Sequence, residues 1–165
     1  DIPAVLAHVK AGKFIRDYNE EGAEHISNTE LLATKCDILI PAALENQITE
    51  EVAENLNCRL VIEAANGPTT AQADVVLERR GIYLLPDILT NAGGVVVSYC
   101  EWVQNLQSLT WDENEVNALL FKVMTRALED VYHKARDYKI SYRLAAYAVA
   151  VERICKAKAK RGIFP

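Results

Sequence analysis

No run in this 165-residue chain approaches the roughly 20 apolar residues that a membrane-spanning helix needs, and no signal-peptide pattern is present. Basic residues are outnumbered 18 to 23, the net charge is −5, and the cations stay scattered until the last turn. A nucleic-acid surface calls for a clustered basic footprint, so that class is excluded. The four cysteines (Cys36, Cys58, Cys100, Cys155) form no C-x-x-C pair, and His8, His25 and His133 keep no ligand spacing with them. This argues against zinc and for reduced, mostly buried thiols of a cytosolic protein. No Ser-His-Asp or Cys-His set is visible, nor a lysine in a small-residue pocket to act as base or nucleophile. Low-complexity tracts and linkers are missing too. A half-apolar chain of this length can bury one core, so residues 1–165 read as a single unit.

What is present is a period. Three β-like runs, Cys36-Asp-Ile-Leu-Ile40, Arg59-Leu-Val-Ile-Glu63 and Ile82-Tyr-Leu-Leu85, are centred on Ile38, Val61 and Leu84, 23 residues apart. Apolar runs of this length suit strands buried on both faces. Thr49 opens one helix between them, and Thr70 to Arg80 forms a second that closes at Gly81. The order predicts a βαβαβ half of a doubly wound parallel sheet over residues 1–90, with closing helices over 91–165. Ahead of the sheet, Ile2 to Ala11 reads as a helix closed by Gly12, and Asn28 caps another. Behind it come Ala92 to Leu106, a long helix from Trp111 to about Tyr138, and a last one capped by Ser141 that stops at Gly162. The run Lys156, Lys158, Lys160, Arg161 complements the dipole of that helix end and implies no partner.

Ligands of open α/β sheets bind beyond the carboxyl ends of the strands. Three loops hold that place: Pro41-Ala-Ala-Leu-Glu-Asn46, Glu63-Ala-Ala-Asn-Gly-Pro68 and Pro86-Asp-Ile-Leu-Thr-Asn-Ala-Gly-Gly94. Each sets small residues past the strand and then an amide, which lets a flat ligand approach backbone while Asn donates and accepts. With Asn91 as N-cap, Gly93 and Gly94 would leave the first-turn N–H groups open to a ligand. Asn91, Gly94, Val95 and Ser98 would share one helix face, suited to a small polar anion. Close helix packing would also keep the glycines, and a helical serine often bonds back to a carbonyl one turn earlier. Asp37, Glu45, Glu63 and Asp87 stand near strand ends, where bonding within the loops is the expected role. The fingerprint G-x-G-x-x-G is absent.

As a set, Pro41-Ala-Ala-Leu-Glu-Asn46, Ala65-Asn-Gly-Pro-Thr-Thr70, Pro86-Asp-Ile-Leu89 and Asn91-Ala-Gly-Gly-Val-x-x-Ser-Tyr-x-Glu-Trp102 resemble the glutamate dehydrogenases, within the Glu/Leu/Phe/Val dehydrogenase family. Val103-Gln-Asn105, Ala146-Tyr147, Val151-Glu-Arg153 and Arg161-Gly-Ile-Phe-Pro165 extend the resemblance over nearly the whole chain. It departs at Ala64, where glycine is expected, and at Cys100, where an aromatic is usual.

The resemblance implies a C-terminal NAD(P)-binding segment of an enzyme that interconverts L-glutamate and 2-oxoglutarate plus ammonium, with NAD or NADP as cofactor. Ala42, Ala43 and Gln47 would lie on the adenosine side, Ala65 and Asn66 near the nicotinamide ribose, and Asn91 on the nicotinamide carboxamide. Gly94 and Val95 would touch the glutamate chain, and Ser98 would bond its side-chain carboxylate. A catalytic lysine and aspartate, and the glycine-rich turn, would precede Asp1, so the 165 residues alone are expected to be inactive. A hexameric, cytoplasmic parent is implied as well. Two other readings stay open: a segment of another amino-acid dehydrogenase, and a non-enzymatic α/β binding or assembly module.

Overall fold

The computed structural model describes residues 1–20 and 22–162. Ile163, Phe164 and Pro165, which end the last sequence motif, lie outside the described residues. The chain divides into two compact units, residues 1–34 and 35–165.

In the first unit, α1 (Ile2–Lys10) starts on Asp1, whose carboxylate accepts from the Ala4 N–H, with proline in the first turn. A 3-10 turn (Ile15–Asp17) and α2 (Asn28–Ala33) follow. The cap of α2 is Ser27 rather than the expected Asn28. Ser27 and Glu30 form a reciprocal capping box, with each side chain taking the other's backbone N–H (3.2 and 2.7 Å). Glu30 is three residues beyond Ser27 and can reach back, which Asn28 as cap would not allow.

The second unit follows the predicted order. Strands β1 (Ile38–Leu39), β2 (Leu60–Ile62) and β3 (Tyr83–Leu85) form one parallel sheet in the order β1-β2-β3. Ile38 pairs with Leu60, and Val61 with Leu84. Helices α3 (Glu50–Asn55) and α4 (Ala71–Arg79) make the crossovers, capped by Thr49 and Thr70. Gly81, at φ +70°, closes α4. Then come α5 (Asp87–Thr90), α6 (Gly93–Gln107), α7 (Glu113–Tyr138) and α8 (Tyr142–Arg161). Asp112 and Ser141 cap the last two, the second as expected.

The strands are shorter and less enclosed than their apolar runs suggest. Below Ile38 the Asp37 carbonyl accepts from both Arg59 and Leu60 (3.0 and 3.2 Å), so the regular ladder begins only at residue 38. Burial on both faces holds for the central strand alone: Val61 is fully enclosed, whereas Ile38 and Tyr83 on the flanking strands are 50% and 65% exposed. Enclosing a valine is worth about 1.5–3 kcal/mol, so β2 anchors the sheet.

Ala53, Leu56, Ala73, Val76 and Leu77 are buried where α3 and α4 pack. Arg80 fixes that pair by donating to the Ala53 and Leu56 carbonyls (2.8 Å to Leu56), satisfying acceptors left open at the end of α3. A second core joins Leu89 of α5 to Val131 and Ala135 of α7 and Ala145 and Ala146 of α8. The alanines let α7 and α8 approach closely, so α5, and the site beyond it, rests on this helix pair. Of the cysteines, Cys100 is buried, Cys36 and Cys58 are half-buried and Cys155 is exposed, so the thiols are free but less buried than expected. Burial pushes the Cys58 thiol up, with Cys36 adding to the effect.

Candidate functional site

Parallel strands bring their carboxyl ends to one edge, and backbone bonds tie the three loops there together. Pro41 offers its carbonyl to the Ala64 and Ala65 N–H groups (3.1 and 2.9 Å). Asn46 donates to the Gly67 carbonyl (2.9 Å), and Ile48 bridges Thr69. Asn46 and Gly67 both sit in the left-handed region, at φ +55° and +53°. Asparagine tolerates that region and glycine occupies it freely. The loops enclose a cleft of about 700 Å³ lined by Ala43, Leu44, Glu45, Ala64, Ala65, Asn66, Asn91, Gly94 and Val95.

Six of the nine residues singled out from sequence therefore meet in one cleft: Ala43, Ala65, Asn66, Asn91, Gly94 and Val95. Ala42, Gln47 and Ser98 are not part of its lining. Gln47, just past the first loop, donates to the Glu45 carbonyl two residues back (3.0 Å). Ser98 lies one turn further along α6 and donates to the Val95 carbonyl (3.0 Å), the back-bond a helical serine often makes.

The start of α6 differs from expectation. Asn91 does not cap it. Asp87–Thr90 form a separate turn of helix, Asn91 is the C-cap of that turn, and Ala92 precedes α6. The sequence signal was masked because a one-turn helix has no period to read. Freed from capping, the Asn91 amide donates to Asn66 Oδ1 at 2.6 Å, joining the third loop to the second. Gly93 and Gly94 do occupy the first turn. A Cβ on Gly93 would meet Leu120 at 3.5 Å, an ordinary contact, whereas one on Gly94 would meet nothing within 4 Å. Packing therefore does not require Gly94; its bare backbone faces the cleft.

Glu63 and Asp87 serve the loops, as expected, and do so through a partner that sequence reasoning missed. Arg143, near the start of α8, donates to Glu63 (2.7 Å) and to Asp74, and lies 3.8 Å from Asp87. Glu63 is fully buried at the end of β2 and accepts the Asp87 N–H on its other oxygen (2.9 Å). Burial works against the Arg143 charge, yet its bonds to Glu63 and Asp74 hold the guanidinium more firmly protonated than usual. Burial pushes Asp74 above the ordinary aspartate value despite Arg143. Nothing in one-dimensional spacing joins position 143 to positions 63, 74 and 87, so this hub carried no sequence signal.

Two other cavities, of about 500 and 930 Å³, open beside β3 around Tyr83, Tyr132 and Tyr142. They are roomier or more enclosed by apolar rings, but the paired loop amides lie in the three-loop cleft. Among the described residues no group of three or more His, Cys, Asp or Glu could hold a metal ion, and no helix is long and apolar enough to cross a membrane.

The sequence model of the Glutamate/Leucine/Phenylalanine/Valine dehydrogenases matches residues 1–162. The chain is 51% identical over 142 residues to a glutamate dehydrogenase of Thermotoga maritima, covering 86% of this chain and 34% of that protein. It is 51% identical over 137 residues to the cryptic catabolic NAD-specific glutamate dehydrogenase GudB of Bacillus subtilis, covering 83% and 32%. Its fold matches the hetero-hexameric glutamate dehydrogenase of Thermus thermophilus in the leucine-bound form with a TM-score of 0.86 at 28% identity, over 100% of this chain and 38% of that one. The chain thus spans about a third of the relatives it matches.

Proposed function

The chain belongs to the Glutamate/Leucine/Phenylalanine/Valine dehydrogenase family, and from that premise we propose that its three-loop cleft holds the nicotinamide half of NAD beside an amino-acid substrate, L-glutamate. The observation that carries this reading is the Asn66–Asn91 amide pair in a cleft that the open Gly94 also lines. Such a pair can both donate to and accept from a ring carboxamide, while small side chains (Ala43, Ala64, Ala65) leave room for a flat group. The residues therefore fit the cofactor.

A nicotinamide held there by Asn91, Asn66 and Ala65 would supply the hydride-accepting chemistry, which belongs to the cofactor. The chain's part is positioning. Asn91 fixes the ring by its carboxamide, with Asn66 and Ala65 on the ribose and Ala42, Ala43 and Gln47 toward the adenosine. Gly94 and Val95 border the substrate chain. Ser98 gives up its bond to the Val95 carbonyl and turns its hydroxyl to the substrate's distal carboxylate. A hydrogen bond to a charged group is worth roughly 1.5–3 kcal/mol, enough to favour glutamate over leucine about ten- to a hundredfold.

Glu45 is the one ionisable side chain lining the cleft among the described residues, so the acid–base groups of amino-acid oxidation are assigned to other parts of the enzyme and the 165 residues by themselves to binding. NAD is favoured over NADP because a relative of this similarity is named NAD-specific. A hexameric parent agrees with the hetero-hexamer named for the Thermus relative, and free thiols fit a cytosolic setting.

Calorimetric titration of the chain with NAD+ and with nicotinamide mononucleotide tests the reading. Binding of both, with the mononucleotide competing, is expected, together with no glutamate-dependent NADH formation. No binding of either ligand would overturn the cofactor assignment, and NADH formation the division of labour.

A further inference from the structure

Asn66 and Asn91 project from two loops, and loops at strand ends do not hold a 2.6 Å side-chain pair without support. The support is traceable atom by atom. Asn66 is followed by Gly67, whose N–H donates to Asp87 Oδ2 at 2.8 Å. The other oxygen, Oδ1, accepts the Ile88 N–H at 2.7 Å and faces the Arg143 guanidinium at 3.8 Å. Asp87 is itself set by its own N–H, which donates to Glu63 Oε2 at 2.9 Å, while Glu63 Oε1 accepts from Arg143 at 2.7 Å. Asp74 of α4 takes the Nε side of the same guanidinium. Finally the Glu63 carbonyl accepts the Thr90 hydroxyl, next to Asn91.

From this geometry we infer that Arg143, a residue outside the cleft, is a positioning residue for the Asn66–Asn91 amide pair, acting through Asp87 on the Gly67 turn and through Glu63 on the Asp87–Thr90 helix. The inference rests on the proposed cofactor site for its functional meaning and on the geometry alone for its structural one. Three carboxylates, Glu63 just past β2, Asp74 of α4 and Asp87 of α5, meet one guanidinium, so the single positive charge they share also fixes the angle between the second and third loops. A planar fork can serve Glu63 and Asp74 together while facing Asp87. A lysine ammonium, a point charge on a flexible stem, satisfies fewer of them at once.

The role is separable from simple attachment of α8. Amide hydrogen exchange on the whole chain would compare Gly67 with Val131 and Ala145, which sit in the α7–α8 core. In Arg143→Lys, Gly67 exchange is expected to accelerate at least about tenfold more than exchange at Val131 and Ala145, a local opening of the turn. Asp87→Asn should do the same, and the double variant should add nothing further, because both act on one bond. Equal acceleration at all three amides, or additive effects in the double variant, would overturn the inference. Arg143→Met leaves Glu63 buried without a counter-charge and serves only if it folds; the lysine and asparagine variants keep the test decisive.

NAD+ titration supplies the functional arm. If the unaltered chain binds, Arg143→Lys should weaken binding about tenfold, and unchanged affinity with a loosened turn would overturn the positioning role. If the unaltered chain does not bind, the cofactor reading fails by itself while the exchange experiment still decides whether Arg143 sets the amide pair.

Discussion

The side-chain amide of Asn91 donates to the side-chain oxygen of Asn66 across 2.6 Å, joining loops that are 25 residues apart in sequence. The bond leaves Asn91 with one further N–H and its own oxygen, and Asn66 with both of its N–H groups. Neither group is consumed, so the pair is ready to receive a second amide. Replacing Asn91 with Ala should weaken NAD+ binding about three- to tenfold, the worth of a typical net hydrogen bond of 0.5–1.5 kcal/mol. Asn66→Ala should do similarly, and the double variant should lose less than the sum. Calorimetry on the four proteins checks both statements.

Gly94 makes a sharper contrast between stability and binding. A Cβ there meets nothing within 4 Å, and helix propensity favours alanine over glycine by up to about 1 kcal/mol. Gly94→Ala should therefore raise resistance to urea while lowering affinity for NAD+. Gly93→Ala, whose Cβ would touch Leu120 at an ordinary 3.5 Å, should raise stability without the loss of affinity. Paired denaturation curves and titrations separate the two glycines.

These two positions also show how far the sequence could be read. The 23-residue period, the capping threonines and Gly81 made the βαβαβ order legible, because each is a local signal repeated at fixed spacing. Three loops with small residues and amides at consecutive strand ends located the cleft, and the helix-face reading brought Asn91, Gly94 and Val95 to it, while Ala43, Ala65 and Asn66 were singled out by the family resemblance. What stayed hidden depended on contacts far apart in sequence or on elements too short to have a period. The Asp87–Thr90 turn displaced Asn91 from the cap position, Ser27 took the cap expected of Asn28, and Arg143 reached Glu63 across 80 positions. Burial of the flanking strands was overestimated because an apolar run reports what a strand is made of, not which neighbours cover it.

Ser108 and Lys139 end α6 and α7 in the left-handed conformation, at φ +52° and +54°. A side chain there costs roughly 1–2 kcal/mol, part of which glycine gives back through the entropy of the unfolded chain. Lys139→Gly and Ser108→Gly should each stabilise the fold by up to about 1 kcal/mol, measured by chemical denaturation. Neither should affect affinity for NAD+, since both lie outside the three-loop cleft.

The Ser27–Glu30 capping box gives a pH prediction for the first unit. Bonds from the Ser27 backbone and side chain hold the Glu30 carboxyl below its ordinary value. A carboxylate whose folded value is depressed stabilises the folded form above its unfolded value and loses that contribution as pH falls through the folded one. The first turn of α2 should consequently fray as pH drops through and below the carboxylate range. Glu30→Gln, which carries no titrating group, should flatten the change. Exchange rates of the Glu30 and Leu31 amides across an acid titration report it.

Chemical-shift mapping of the whole chain during addition of NAD+ tests the cleft assignment most directly. Binding at this site should move the Asn66 and Asn91 side-chain amide signals and the Gly94 backbone signal together, with a common saturation curve. Shifts gathered instead around Tyr83, Tyr132 and Tyr142, or no shifts at any concentration, would contradict it.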